Sequence, residues 1–131
     1  MLLKQLKYFI TIVNCGSKIM NEAGFDVEPI ECDISSRESI LNLIKKGQEY
    51  GKISNLINAA GVSPSQAPIE VILKVDLYGT AVLLEEVGKV IREGGTGVTI
   101  SSQSGKRMPQ LTAKEDELLA TTPTEKLLKI R

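Results

Sequence analysis

Residues 53–61 read Ile-Ser-Asn-Leu-Ile-Asn-Ala-Ala-Gly. A compact apolar run of strand length passes directly into Ala59, Ala60 and Gly61. Small residues at that point let the backbone approach a ligand closely, and Gly61 permits a sharp exit from the strand. On the N-terminal side, residues 35–50 carry a helix pattern. The Ser35 hydroxyl is placed to cap while Glu38 reaches back, Ile40, Leu41 and Ile44 form the buried stripe, and Gly51 stops the element. On the C-terminal side, a Ser- and Pro-containing loop over 61–67 leads to a long helical pattern over 68–93, with Pro68 suited to the first turn. Gly79 within it marks a kink or a close contact, Gly94-Gly95 ends it, and residues 98–101 are the next strand.

Working further outward, residues 17–23 read as the last turns of a helix closed by Gly24, and residues 27–32 as a strand ending at Asp33. The apolar run over 8–13 is a further strand candidate, too short for a signal-peptide core. Strand, helix, strand, long helix, strand is the βαβ alternation of a parallel sheet, so the fold class is α/β. After Gly105 the texture changes. Thr112-x-x-Glu115 and Thr122-Pro-Thr-Glu125 are both helix starts, the second with Pro123 at the first helical position.

Composition narrows the function classes. The chain has 131 residues, enough for one domain, and its Lys plus Arg count of 16 equals its Asp plus Glu count. That balance offers no footprint for nucleic acid or an anionic membrane, and no stretch approaches the roughly 20 apolar residues of a membrane span. With 0 His, the commonest metal ligand and general base is missing, and Cys15 and Cys32 make no metal pattern. Reduced thiols and a cytoplasmic location are the expectation.

Ligands of open parallel sheets bind beyond the carboxyl ends of the strands. Asp33, residues 58–61 and Ser101-Ser102 all fall at such ends, which points to a nucleotide site. Four segments sharpen this: Cys-Asp-Ile-Ser at 32–35, Leu-Ile-Asn-Ala-Ala-Gly at 56–61, Asp-Leu-Tyr-Gly-Thr at 76–80 and Ile-Ser-Ser-Gln-Ser-Gly at 100–105. In this order and at these separations the chain resembles the middle of a short-chain dehydrogenase/reductase, over roughly residues 17–128.

The resemblance implies an incomplete Rossmann-like, doubly wound parallel sheet, a truncated dinucleotide-binding domain over 1–131. Residues 1–16 are an atypical N-terminus, and residues 106–131 look like a helical insertion known in one branch of the family. It also implies NAD or NADP as cofactor and an alcohol or carbonyl as substrate. Asp33 and Ile34 match the adenine-contacting position and its neighbour. Asn58, Ala59, Ala60 and Gly61 resemble the family's Asn-Asn-Ala-Gly signature, with Ala59 replacing the second Asn and Asn58 expected to bond neighbouring strands. Ile100 completes the cofactor set. Ser102 matches the serine that hydrogen-bonds the substrate oxygen. Asp76 lies where the family usually holds a relay Asn; a carboxylate only accepts, which alters that role.

Two family features are missing from this sequence. There is no Gly-rich phosphate turn, and none of Tyr8, Tyr50 and Tyr78 is followed four positions later by Lys. Family spacing would put the Tyr and Lys at Glu115 and Leu119. The expectation is therefore a fragment without turnover of its own. The family's strand order, 3-2-1-4-5, leaves the central strand vacant, to be filled by the 8–13 run or by edge pairing with a second copy. The rival reading is a non-catalytic α/β interaction or dimerisation module that docks through the long helix.

Overall fold

A computed structural model describes residues 9–11 and 14–130. Strand β1 (Phe9–Thr11) is followed by α1 (Asn14–Glu22), β2 (Val27–Pro29), α2 (Arg37–Glu49) and β3 (Asn55–Asn58). A long helix follows in three parts: α3 (Ile69–Ile72), a π-helical segment (Leu73–Gly79) and α4 (Thr80–Gly88). Strand β4 (Thr96–Thr99), helices α5 (Ser104–Arg107) and α6 (Ala113–Thr121), and a 3₁₀ turn (Thr124–Lys129) complete the order. The expected α/β class and parallel pairing are both present.

The strands form two separate two-stranded parallel sheets, β1 with β2 and β3 with β4. The N-terminal run therefore does not bridge to β3. It pairs with β2 instead, Phe9 opposite Val27 and Thr11 opposite Pro29. The reason is local: α1 supplies the helical crossover a parallel pair needs, and a short connection closes at less entropic cost than a long one. Residues 8, 12 and 13 of that predicted strand lie outside the described residues, as does most of the 1–16 segment.

Element boundaries differ from the sequence reading in instructive ways. Helix α2 is capped by Ser36, whose hydroxyl accepts from the Ser39 N–H, and not by a Ser35–Glu38 box. Ser35 is engaged elsewhere: its N–H and its hydroxyl both donate to Asp33 Oδ1, at 2.9 and 2.7 Å. Asp33 thus closes a turn beyond β2, which ends at Pro29, rather than terminating the strand. Strand β4 lies two residues earlier than read, although the Ile100 N–H still donates to the Asn58 carbonyl at 2.8 Å. Pro123 precedes the 3₁₀ turn as its cap instead of opening a helix. The box at Thr112 and Glu115 forms as the sequence indicates.

The core lies between α2 and α4. Ile34, Ile40, Ile44, Val82, Leu83 and Val87 are buried together, with Leu56 of β3 and Ile53 packed against them. The stripe expected on α2 is there, except that Leu41 is exposed. On β3 and β4, Ile57, Val98 and the adjacent Ile100 stay exposed, leaving apolar side chains uncovered.

Candidate cofactor cradle

The π-helical segment organises the site. A π turn widens the helix by one residue and is common at functional positions. Here Gly79 is buried against the loop before α2: a Cβ on it would lie 2.4 Å from the Ile34 carbonyl oxygen. The sequence marked Gly79 for a kink or a close contact, and the close contact is present, at the end of a π-helical segment. Three residues earlier, Asp76 Oδ1 accepts from the Val62 N–H at 3.0 Å and would lie 3.3 Å from a Cβ at Gly61. One helical turn therefore grips two loops, the one carrying Asp33 and Ile34 and the one carrying residues 59–62.

Around Asp33 the turn is tightly hydrogen-bonded. Its N–H donates to Ser39 Oγ at 2.9 Å, and the exposed carboxylate, held by Ser35 at Oδ1, keeps accepting capacity. Ile34 is 7 % exposed and belongs to the core, so its side chain supports the loop from below. Ser39 Oγ also lies 3.6 Å from the thiol of Cys32, a free cysteine. Burial pushes that thiol up, with the Asp33 charge adding to the effect against the Ser39 hydrogen bond.

Asn58 ends β3 and is buried. Among the described residues its side chain bonds no neighbouring strand, contrary to expectation; Oδ1 accepts from the Ala60 N–H at 3.2 Å and fixes the strand exit. The two-residue reach of a short amide favours this local bond. Ala59 and Gly61 are exposed, Ala60 half-buried. Ile100 and Ser102 lie beyond β4, both exposed, and Ser102 Oγ accepts from the Ser104 N–H at 3.1 Å. Ile100 is joined to Asn58 through the backbone, whereas among the described residues no hydrogen bond joins Ser102 to Asp76 or Gly61.

Sequence reading missed an ionic cluster flanking this region. Arg37, at the start of α2, donates from Nη2 to Glu85 at 3.2 Å, from Nε to Glu125 at 2.7 Å, and from Nη1 to Glu86. Lys89 holds the same two α4 carboxylates at 3.1 and 2.9 Å. Hydrogen bonds from Thr124, Arg37 and Lys89 hold the Glu85 carboxyl down at about 2. The i,i+3 and i,i+4 spacing of Glu85, Glu86 and Lys89 was a usable signal. Arg37 and Glu125 are 88 positions apart and gave none.

The residues present fit the adenosine half of a dinucleotide: an exposed carboxylate at Asp33 and a small-residue exit from β3, each on a loop held by the π-helical segment. They do not fit the pyrophosphate, because no Gly-rich turn exists in the sequence. Among the described residues, no group of three His, Cys, Asp or Glu could hold a metal ion, and no helix is long and apolar enough to cross a membrane.

Known proteins resemble this chain in sequence and fold. A family model described as enoyl-(acyl carrier protein) reductase matches residues 13–114. A short-chain dehydrogenase/reductase of Alternaria brassicicola, bsc3, is 38 % identical over 91 residues, covering 70 % of this chain and 33 % of that protein. Among solved structures, a short-chain dehydrogenase/reductase from Serratia marcescens superposes with a TM-score of 0.63 at 19 % identity, over 79 % of this chain and 47 % of that one. A dehydrogenase/reductase from Sinorhizobium meliloti gives 0.63 at 18 % identity, over 79 % and 46 %. The chain thus spans about a third of its curated relative (33 %) and under half of these two structures.

Proposed function

From the premise that this chain belongs to the short-chain dehydrogenase/reductase family, we propose that it carries the adenosine half of an NAD or NADP site within an oxidoreductase acting on an alcohol or carbonyl. The observation that carries this reading is the double grip of the π-helical segment, with Gly79 against Ile34 and Asp76 on Val62. Both loops are thus held by one helical segment, which supports a shared ligand.

Each residue then has a chemical task. Asp33 accepts from the adenine amino group through its free lone pairs. Ala59, Ala60 and Gly61 give the ribose room, and Asn58 and Ile100 hold that floor through the Ala60 and Asn58 backbone bonds. The Ser102 hydroxyl, whose oxygen accepts from Ser104, keeps its proton to donate to a substrate oxygen. A bound nicotinamide dinucleotide supplies the hydride donor or acceptor. The proton on the substrate oxygen needs a general acid/base of suitable pKa, and this sequence has no Tyr-x-x-x-Lys for it. Asp76 already accepts from Val62, so a water-holding relay is not its first task. Turnover by these 131 residues alone is therefore not expected.

The test is a titration with reduced cofactor followed by its own emission, which is clean because the chain has 0 Trp. Saturable enhancement that Asp33→Ala abolishes supports the proposal. No enhancement up to millimolar cofactor counts against it and favours a second reading, an interaction or homo-oligomerisation module. That reading draws on the exposed Ile69, Val71, Leu73 and Leu84 of the long helix.

A further inference from the structure

We propose that the 3₁₀ turn Thr124–Lys129 is a brace for the cradle, with Glu125 a positioning residue that ties the start of α2 to the π-helical segment. Glu125 reaches both at once. Its Oε1 accepts from Arg37 Nε at 2.7 Å, and the Tyr78 hydroxyl donates to the same carboxylate at 3.2 and 3.3 Å. Arg37 opens the helix that follows the Asp33–Ile34 loop, and Tyr78 immediately precedes Gly79. These segments already touch through the Ile34 carbonyl and Gly79, so Glu125 closes a second link between the same two parts.

Two further contacts make the turn a docked element instead of a passing loop. Leu127 is buried at 6 % exposure, and the turn packs on the π-helical segment. Arg37, which Glu125 holds, also pairs with Glu85, whose carboxylate receives Lys89 as well. A single guanidinium thereby joins α2, α4 and the tail, using the fork of donors that a lysine lacks. The adenosine reading gives the brace its purpose, but the contacts stand without it, and the test below needs no cofactor.

Amide exchange on the full chain decides the matter. In Glu125→Ala, residues 124–130 and 73–79 should both exchange about fivefold faster, with β3 and β4 unchanged, as expected for losing a partly exposed ion pair. Acceleration confined to 124–130, or none at all, overturns the brace. Leu127→Ala should accelerate the same two segments; if it does and Glu125→Ala does not, the apolar contact alone holds the turn and Glu125 is not a positioning residue. Tyrosine emission gives a separate signature, since a carboxylate accepting from a phenol alters it and the chain has 0 Trp. Glu125→Ala should change emission in the wild-type background and leave it unchanged in Tyr78→Phe. The same change in both backgrounds contradicts the assigned contact.

Discussion

Two residues of the π-helical segment set the local geometry. Adding a Cβ at Gly79 meets backbone, the Ile34 carbonyl at 2.4 Å, so no side chain can swing aside to make room. Gly79→Ala should lower stability by about 1–3 kcal/mol, read from urea unfolding, as overpacking does in a tight interior. A loss under about 0.5 kcal/mol would mean that the helix and loop separate freely. At Asp76 what matters is an acceptor, not a charge. Asp76→Asn keeps an oxygen for the Val62 N–H and should be nearly neutral, while Asp76→Ala should cost about 1 kcal/mol, typical of one lost hydrogen bond. Equal losses in both would instead assign the effect to the carboxylate charge. The sequence marked both positions, Gly79 by its lack of a side chain and Asp76 by its departure from the family's Asn. Neither partner was legible, because Ile34 and Val62 are brought there by the packing of α2 and β3 against the long helix.

At the scale of elements, the caps show what local sequence can and cannot specify. Thr112 and Glu115 satisfy each other within one turn, so α6 begins where the sequence places it. Thr112→Ala should weaken that helix by about 1 kcal/mol, measured by exchange of the α6 amides. Hydrogen bonds from Thr112 hold the Glu115 carboxyl below its usual range. Its stabilising contribution is therefore present above the ordinary carboxylate pKa and lost as pH falls through the depressed one, and α6 amides should exchange faster in Glu115→Gln than in the wild type only above that window. The same sign applies to Glu85: with a folded value of about 2 against an ordinary 4.5, its ion pairs should persist until pH falls below that interval. Titration of Glu85 near 4.5 by NMR would contradict the network. Where two short polar side chains compete, local reading slips by a position. Ser35 looked like the cap of α2, but the Asp33 carboxylate takes its hydroxyl and Ser36 caps instead. The π-helical segment was hidden because apolar spacing over 69–91 fits an ordinary helix.

Over the whole molecule, the parallel alternation was legible and its continuity was not. Two sheets of two strands stand where the family arranges one, because the strand of order 1 that would separate β1 from β3 has no counterpart among the described strands. Isolated two-stranded sheets are marginal, and open edges invite pairing. Ile57 at 66 % and Val98 at 53 % exposure add apolar surface beside those edges. Concentration-dependent self-association is expected in sedimentation velocity, reduced by Ile57→Ser with Val98→Ser; a monomer at all concentrations would show that edges and face are tolerated bare. On the proposed function, the Asp33 loop and the exit of β3 form one ligand surface. Amide shift mapping with added NADH or NADPH tests it most directly. Saturable shifts at residues 33–35, 58–62 and 76–79 together are expected; shifts scattered elsewhere, or confined to one of these loops, rule out a shared ligand surface.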